Sequence, residues 1–172
     1  MGLNRGTVSN CDNTGDVSGT ATGKGSDYSV GGVVGYNDGA VSNCDNTGDV
    51  SGTATGEYSD CSVGGVVGVN YGAVTDCYNT GDVSGTATGE GTNCYVGGVV
   101  GQNDGEDVSN CYYLSDTAEE GVGNDNSTAE AKDESFFEGE KMAEFLNANQ
   151  KDSPWEYTSG NSAPTLKAFN NG

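Results

Sequence analysis

The chain has 172 residues, of which 30 are glycine and only two are proline, and its 26 carboxylates against six basic groups give a formal charge of −20. That length suits one domain, and that charge repels phosphate backbones and anionic lipid, so nucleic acid is not an expected partner. No stretch approaches the roughly 18 consecutive apolar residues of a membrane-spanning helix, so no membrane insertion is expected, and the lack of histidine removes the Ser-His and Cys-His nucleophile arrangements.

In chain order, the first regular feature is Asn13–Gly23, NTGDVSGTATG, which returns unchanged at 46–56 and 79–89. A second block, GGVVG at Gly31–Gly35, returns at 64–68 and 97–101, so the period is 33 residues. Helical arrays of similar period need Ala, Leu, Glu and Lys, whereas these units are Val, Thr, Ser, Tyr and Gly. Three strands per unit are predicted, near Ser29–Val34, Ala40–Cys44 and Asp49–Thr55, each bounded by Gly, Asn or Asp. The fold class is therefore an all-β repeat, a short parallel β-solenoid, right-handed, with three strands per 33-residue coil. A propeller is the main alternative, but its blades run to about 40–45 residues and these repeats are too few to close a ring. Alternation directs Val17, Gly19 and Ala21 inward and Ser18, Thr20 and Thr22 outward, with the same parity in later coils.

Periodicity stops beyond Leu114. Residues 115–134 read as an acidic connector with weak order. From Glu138 to about Asn149, Met142, Phe145 and Leu146 fall at helical spacing, and Pro154–Tyr157 and Pro164–Leu166 follow as a terminal strand region. An open solenoid end exposes backbone and core, so Phe136, Phe137, Trp155, Tyr157, Leu166 and Phe169 are assigned to a helix-plus-strand cap over that end. The resulting division is 1–114 solenoid, 115–134 connector and 135–172 cap.

The candidate binding face is a grid of outward hydroxyls: Ser18, Thr20, Thr22, then Ser51, Thr53, Thr55, then Ser84, Thr86, Thr88. It suits ordered water or sugar hydroxyls, against the simpler reading of β-propensity with solubility. Stacked Asp16, Asp49 and Asp82 imitate a catalytic carboxylate pair, but an active site normally breaks a repeat and these acids obey it, so no catalytic residue and no cofactor is expected. Structural calcium at these aspartates, or at the turns beginning at Asn37 and Asn103, is the weaker reading beside solvated turns, because the spacing of known calcium loops is missing. Cys11, Cys44, Cys77 and Cys111 recur with the repeat, as do Cys61 and Cys94. Stacked thiols are favoured over disulfides, with Cys61–Cys94 the best-placed exception beside variable loops. No Cys-x-x-Cys pair suggests zinc.

Gly31–Gly52, GGVVGYNDGAVSNCDNTGDVSG, resembles the GLUG repeat of large bacterial surface proteins, and the resemblance runs from Gly2 to about Leu114. Its pattern is met at Gly64, Gly65, Val66, Val67, Gly68, Asn70, Gly72, Val74, Cys77, Tyr78, Gly81 and Val83. Asp12 and Asp45 depart from it, standing where the family has an aromatic after Cys, while Tyr78 and Tyr112 keep it. The resemblance implies an extracellular, cell-surface or secreted bacterial setting and a structural or adhesive stalk, with an accessory domain of a secreted peptidase or carbohydrate-active enzyme as the alternative. A host or surface glycan or protein is the implied partner. Gly2–Gly6 aligns with Gly35–Gly39, mid-unit, so the chain is expected to be a fragment with Met1 as an added start. End-to-end self-association of uncovered rungs is also expected.

Overall fold

Identical units placed 33 residues apart can stack only if every residue pairs with its own copy, and the strand register does this through the repeats. In the computed structural model, which describes residues 1–105, 107–124, 128–148 and 150–169, Val17 pairs with Val50 and Val50 with Val83, all in parallel. Leu3 pairs with Tyr36 and Cys11 with Cys44 by the same offset. The chain is an all-β parallel solenoid of about three coils.

Each coil contributes to four sheets. The first contains Tyr28–Gly31, Cys61–Gly64 and Cys94–Gly97; the second Leu3–Asn4, Val34–Asn37, Val67–Asn70 and Val100–Asn103. The third runs from Thr7–Asn13 and Ala40–Asn46 through Ala73–Thr75 with Tyr78–Asn79 to Val108–Ser109 with Cys111–Leu114. The fourth is Val17–Ala21, Val50–Ala54 and Val83–Ala87. The expectation of three strands per coil is thus corrected to four, because the stretch near Ser29–Val34 is two strands meeting at Gly32 and Val33. A side chain on Gly31 would lie 2.1 Å from the Val34 carbonyl oxygen, and one on Gly32 2.5 Å from Asn46 Oδ1. Only glycine fits this bend.

Inside, valines stack in columns. Val34, Val67 and Val100 with Val41, Val74 and Val108 form one core, and Val30, Val50, Val63 and Val83 a second. Asparagine ladders close the corners. Asn4, Asn37, Asn70 and Asn103 form one, each Nδ2 donating to the next Oδ1 at 2.7–2.8 Å, and Asn13, Asn46 and Asn79 form another at 2.6–2.7 Å. The same Nδ2 atoms donate to the carbonyl two residues on, as from Asn46 to Gly48 at 2.6 Å. This explains the Asn-x-Gly spacing: one side chain closes its own turn and joins it to the next coil, which leaves a buried amide well satisfied.

A second column sets the parity of the third sheet. Asn10, Asn43, Asp76 and Asn110 all take left-handed backbone, with φ of 54°, 52°, 56° and 51°, which Asn and Asp tolerate better than other side chains. Each shifts the alternation by one residue. Consequently Cys44, Cys77 and Cys111 point into the valine core, while Asp45, Tyr78 and Tyr112 lie on the outer flank.

The C-terminal third departs from expectation. Ala129–Lys132 adds a rung to Cys111–Leu114, the Thr117 carbonyl accepts from Val83 N at 3.0 Å and the Gly121 carbonyl from Val99 N at 2.9 Å. Val122, bridged to Val100, is buried in the core. The segment read as a weakly ordered connector is therefore, over its described residues, a partial coil that covers the solenoid's end; 125–127 lie outside the described residues.

The assigned cap does not sit on that end. Helices α1 (Glu134–Phe137) and α2 (Glu140–Asn147) and the antiparallel pair Trp155–Glu156 with Thr165–Leu166 pack on the flank, around Tyr78 and Tyr112. Asp133 caps α1 by accepting from Phe136 N. The left-handed column anchors this layer: Asn43 Oδ1 accepts from Gln150 Nε2 and Trp155 Nε1, and Asn110 Nδ2 donates to the Phe145 carbonyl. Of the predicted cap residues, Phe137, Trp155 and Leu166 are fully buried, Phe136 and Tyr157 pack at the edge, and Phe169 is exposed. The predicted helix limit at Asn149 and the tail 170–172 lie outside the described residues.

Candidate functional site

The hydroxyl grid is in register as expected: Ser51 pairs with Ser18 on one side and Ser84 on the other, and Thr53 likewise with Thr20 and Thr86. Thr22, Thr55 and Thr88 follow just beyond the strand ends. Eight of the nine are exposed and Thr53 is half-buried.

The stacked aspartates have a local role. Asp16 Oδ1 accepts from Asp49 N and Asp49 Oδ1 from Asp82 N, both at 3.1 Å. Asp16 and Asp49 therefore each receive a backbone donor from the next coil, which offsets the repulsion between neighbours. Asp27 and Asp60 repeat the device, accepting from Asp60 N at 3.0 Å and Asn93 N at 2.9 Å.

Cys61 and Cys94, paired in the first sheet, form a disulfide that staples two coils. Cys11, Cys44, Cys77 and Cys111 are free, and burial pushes the Cys77 thiol well above its usual range, which makes it a poor nucleophile. Alkylation of the unfolded chain without reductant is expected to label these four and spare Cys61 and Cys94. Peptide mass spectrometry reads the result, and labelling of all six removes the bridge.

Two concave features escaped the sequence reading. The first is a cleft of about 360 Å³ between the third sheet's flank and Gly160–Thr165, which contains Asp12, Asp45 and Tyr78. Asp45 is 5% exposed. Burial first, and the neighbouring Asp12 carboxylate second, push its carboxyl up to about 8, so it is protonated at neutral pH. The Tyr78 hydroxyl in the same cleft donates to the Pro164 carbonyl at 2.6 Å, fastening the C-terminal layer. The adjacency of Asp12 and Asp45 follows from the period, but the layer that buries Asp45 leaves no periodic signal.

The second feature is a groove of about 420 Å³ where the outer faces of the first and second sheets meet. Glycine again sets the geometry: a side chain on Gly68 would lie 2.8 Å from Val30 N, and one on Gly101 2.6 Å from Val63 N, so the two sheets touch backbone to backbone. The groove opens from that contact. Tyr36 and Tyr71 stand on one side with ring centroids 5.3 Å apart, and Ser29, Ser62, Asp27 and Asp60 on the other. The Asp104 carboxylate near Tyr71 raises that phenol, with burial adding to the effect.

Among known families, the GLUG motif matches residues 26–51, 59–84 and 92–112. These three matches fall on successive coils, and their Gly-Gly, Asn-x-Gly and Asn-Cys or Asp-Cys elements are the bends, ladders and left-handed residues described above. No curated protein and no solved structure matches the chain.

Proposed function

We propose, from the premise that residues 26–112 are a GLUG-repeat region, that this structural repeat segment serves as a stiff, non-catalytic spacer of a bacterial extracellular protein. The observation that supports this reading most is uniformity: the coils keep one register, and the asparagine ladders begun by Asn4 and Asn13 and the aspartate columns begun by Asp16 and Asp27 join each coil to the next. A segment built in this way transmits length and direction, since each added unit lengthens the stack without a new fold. The Cys61–Cys94 staple supports an oxidising setting outside the cytoplasm.

Length is the property to test. Inserting three further copies of residues 46–78 is expected to lengthen the particle by about 15 Å along one axis at constant cross-section, given a coil spacing of about 4.8 Å. Small-angle scattering measures both dimensions. Growth in girth, or a flexible chain profile, is incompatible with a stiff spacer.

A further inference from the structure

We propose that the groove between the first and second sheets binds the chain of a neutral oligosaccharide. Tyr36 and Tyr71 are 37% and 44% exposed, a large apolar surface for a chain so poor in bulky residues, and they are stacked on each other with 28° between their planes. Paired rings of this kind present a firm platform to the C–H face of a sugar. Polar groups are fixed around it. Ser62, 3% exposed, donates from Oγ to Gln102 Oε1 at 3.0 Å, and Gln102 Nε2 donates to Asp104 Oδ2 at 2.6 Å.

On the opposite rim Asp27 and Asp60 each commit Oδ1 to a backbone N–H of the next coil. Among the described residues no partner is seen for either Oδ2, which leaves an acceptor for sugar hydroxyls. The volume of about 420 Å³ lies within the range of small-molecule sites.

Charge narrows the class of ligand. Among the described residues no basic side chain lines the groove, and a protein of charge −20 disfavours phosphate, sulfate and uronate groups. An organic cation is the competing class, but the two tyrosines lean on each other instead of enclosing a charge on several sides. Both walls also recur by coil: Asp27, Asp60 and Asn93 along the rim, and Tyr36, Val69 and Gln102 along the other face. A ligand lying along the solenoid axis thus meets comparable positions every 4.8 Å or so, which suits a chain of sugar rings better than a single charge.

Titration calorimetry of the whole chain with cellohexaose, mannohexaose and chitohexaose, with hexagalacturonate and spermine as comparators, tests this. Saturable binding of at least one neutral hexaose in the millimolar range or tighter is expected. Tyr36→Ala and Tyr71→Ala should each weaken it about tenfold while leaving the thermal midpoint unchanged, as both side chains are exposed. Failure of all three neutral hexaoses to bind, binding that survives both substitutions together, or preference for spermine or hexagalacturonate overturns the proposal.

Discussion

Val50→Asp is expected to abolish the folded solenoid, whereas Thr53→Asp, three residues along the same strand, is expected to fold. Val50 is fully buried, stacked between Val17 and Val83 and packed in the core with Val63. A carboxylate there has no donor and loses its hydration, an effect on the order of 5 kcal/mol. The whole stability of a domain is about 5–15 kcal/mol. Glycine-rich backbone leaves this one at the low end, because each Gly loses more freedom on ordering than any other residue. Thr53 is half-buried on the outer face between Thr20 and Thr86, so its replacement leaves the charge within reach of water and changes stability by about 1 kcal/mol. Circular dichroism melts of the two variants separate the outcomes, and similar midpoints would refute the register of the fourth sheet.

That register was legible in the sequence because the repeat states each inward position three times. Val17, Gly19 and Ala21 alternate with Ser18 and Thr20, and the copies at Val50 and Val83 remove the ambiguity of a single short strand. The Cys61–Cys94 column was legible for the same reason. What repetition does not report is backbone direction: Ser29–Val34 reads as one apolar run, and only the close backbone contacts of Gly31 and Gly32 make it two strands. Nor does it report what lies outside the repeat. Gly121-Val122-Gly123 retains part of the Gly-Val-Gly pattern, a signal outweighed by the acidic composition around it, yet Val122 completes the core. The cap residues were visible as a bulky apolar set, but the surface they cover depends on Tyr78 and Tyr112 pointing outward. That orientation follows from left-handed Asp76 and Asn110, which shift the strand parity in a way that a period-2 reading misses. The groove was missed for a related reason, since Tyr36, Tyr71 and Ser62 come from different coils and sheets.

Asp45→Asn is expected to stabilise the protein, and to do so far more at pH 8 than at pH 4. Asp45 is covered by the C-terminal layer, and the titratable groups facing it are Asp12 on the adjacent strand and Tyr78 on the next, with Cys44 beside it; Gly160–Thr165 adds no charge. Among the described residues nothing cationic offsets an ionised carboxylate there. In the folded chain it therefore holds its proton up to about 8, against 3.8 when unrestrained. Below about pH 4 both folded and unfolded chains carry the proton, and stability has its full value. Between about pH 4 and pH 8 only the folded chain carries it, so the folded state binds more protons and stability falls as pH rises, by at most about 1.4 kcal/mol per pH unit. Above about pH 8 both forms are ionised and the loss levels off at a ceiling of about 6 kcal/mol. Asparagine keeps the shape and removes the titration, so Asp45→Asn should flatten this part of the stability curve and leave stability near pH 4 close to that of the parent. Asp12→Asn, which removes the second cause but not the burial, should give a smaller change in the same direction. Urea unfolding of the three proteins across pH 4 to 9, followed by the fluorescence of Trp155 in the same C-terminal layer, measures it. Parallel curves for parent and Asp45→Asn would show that Asp45 ionises freely and that this layer does not seal it.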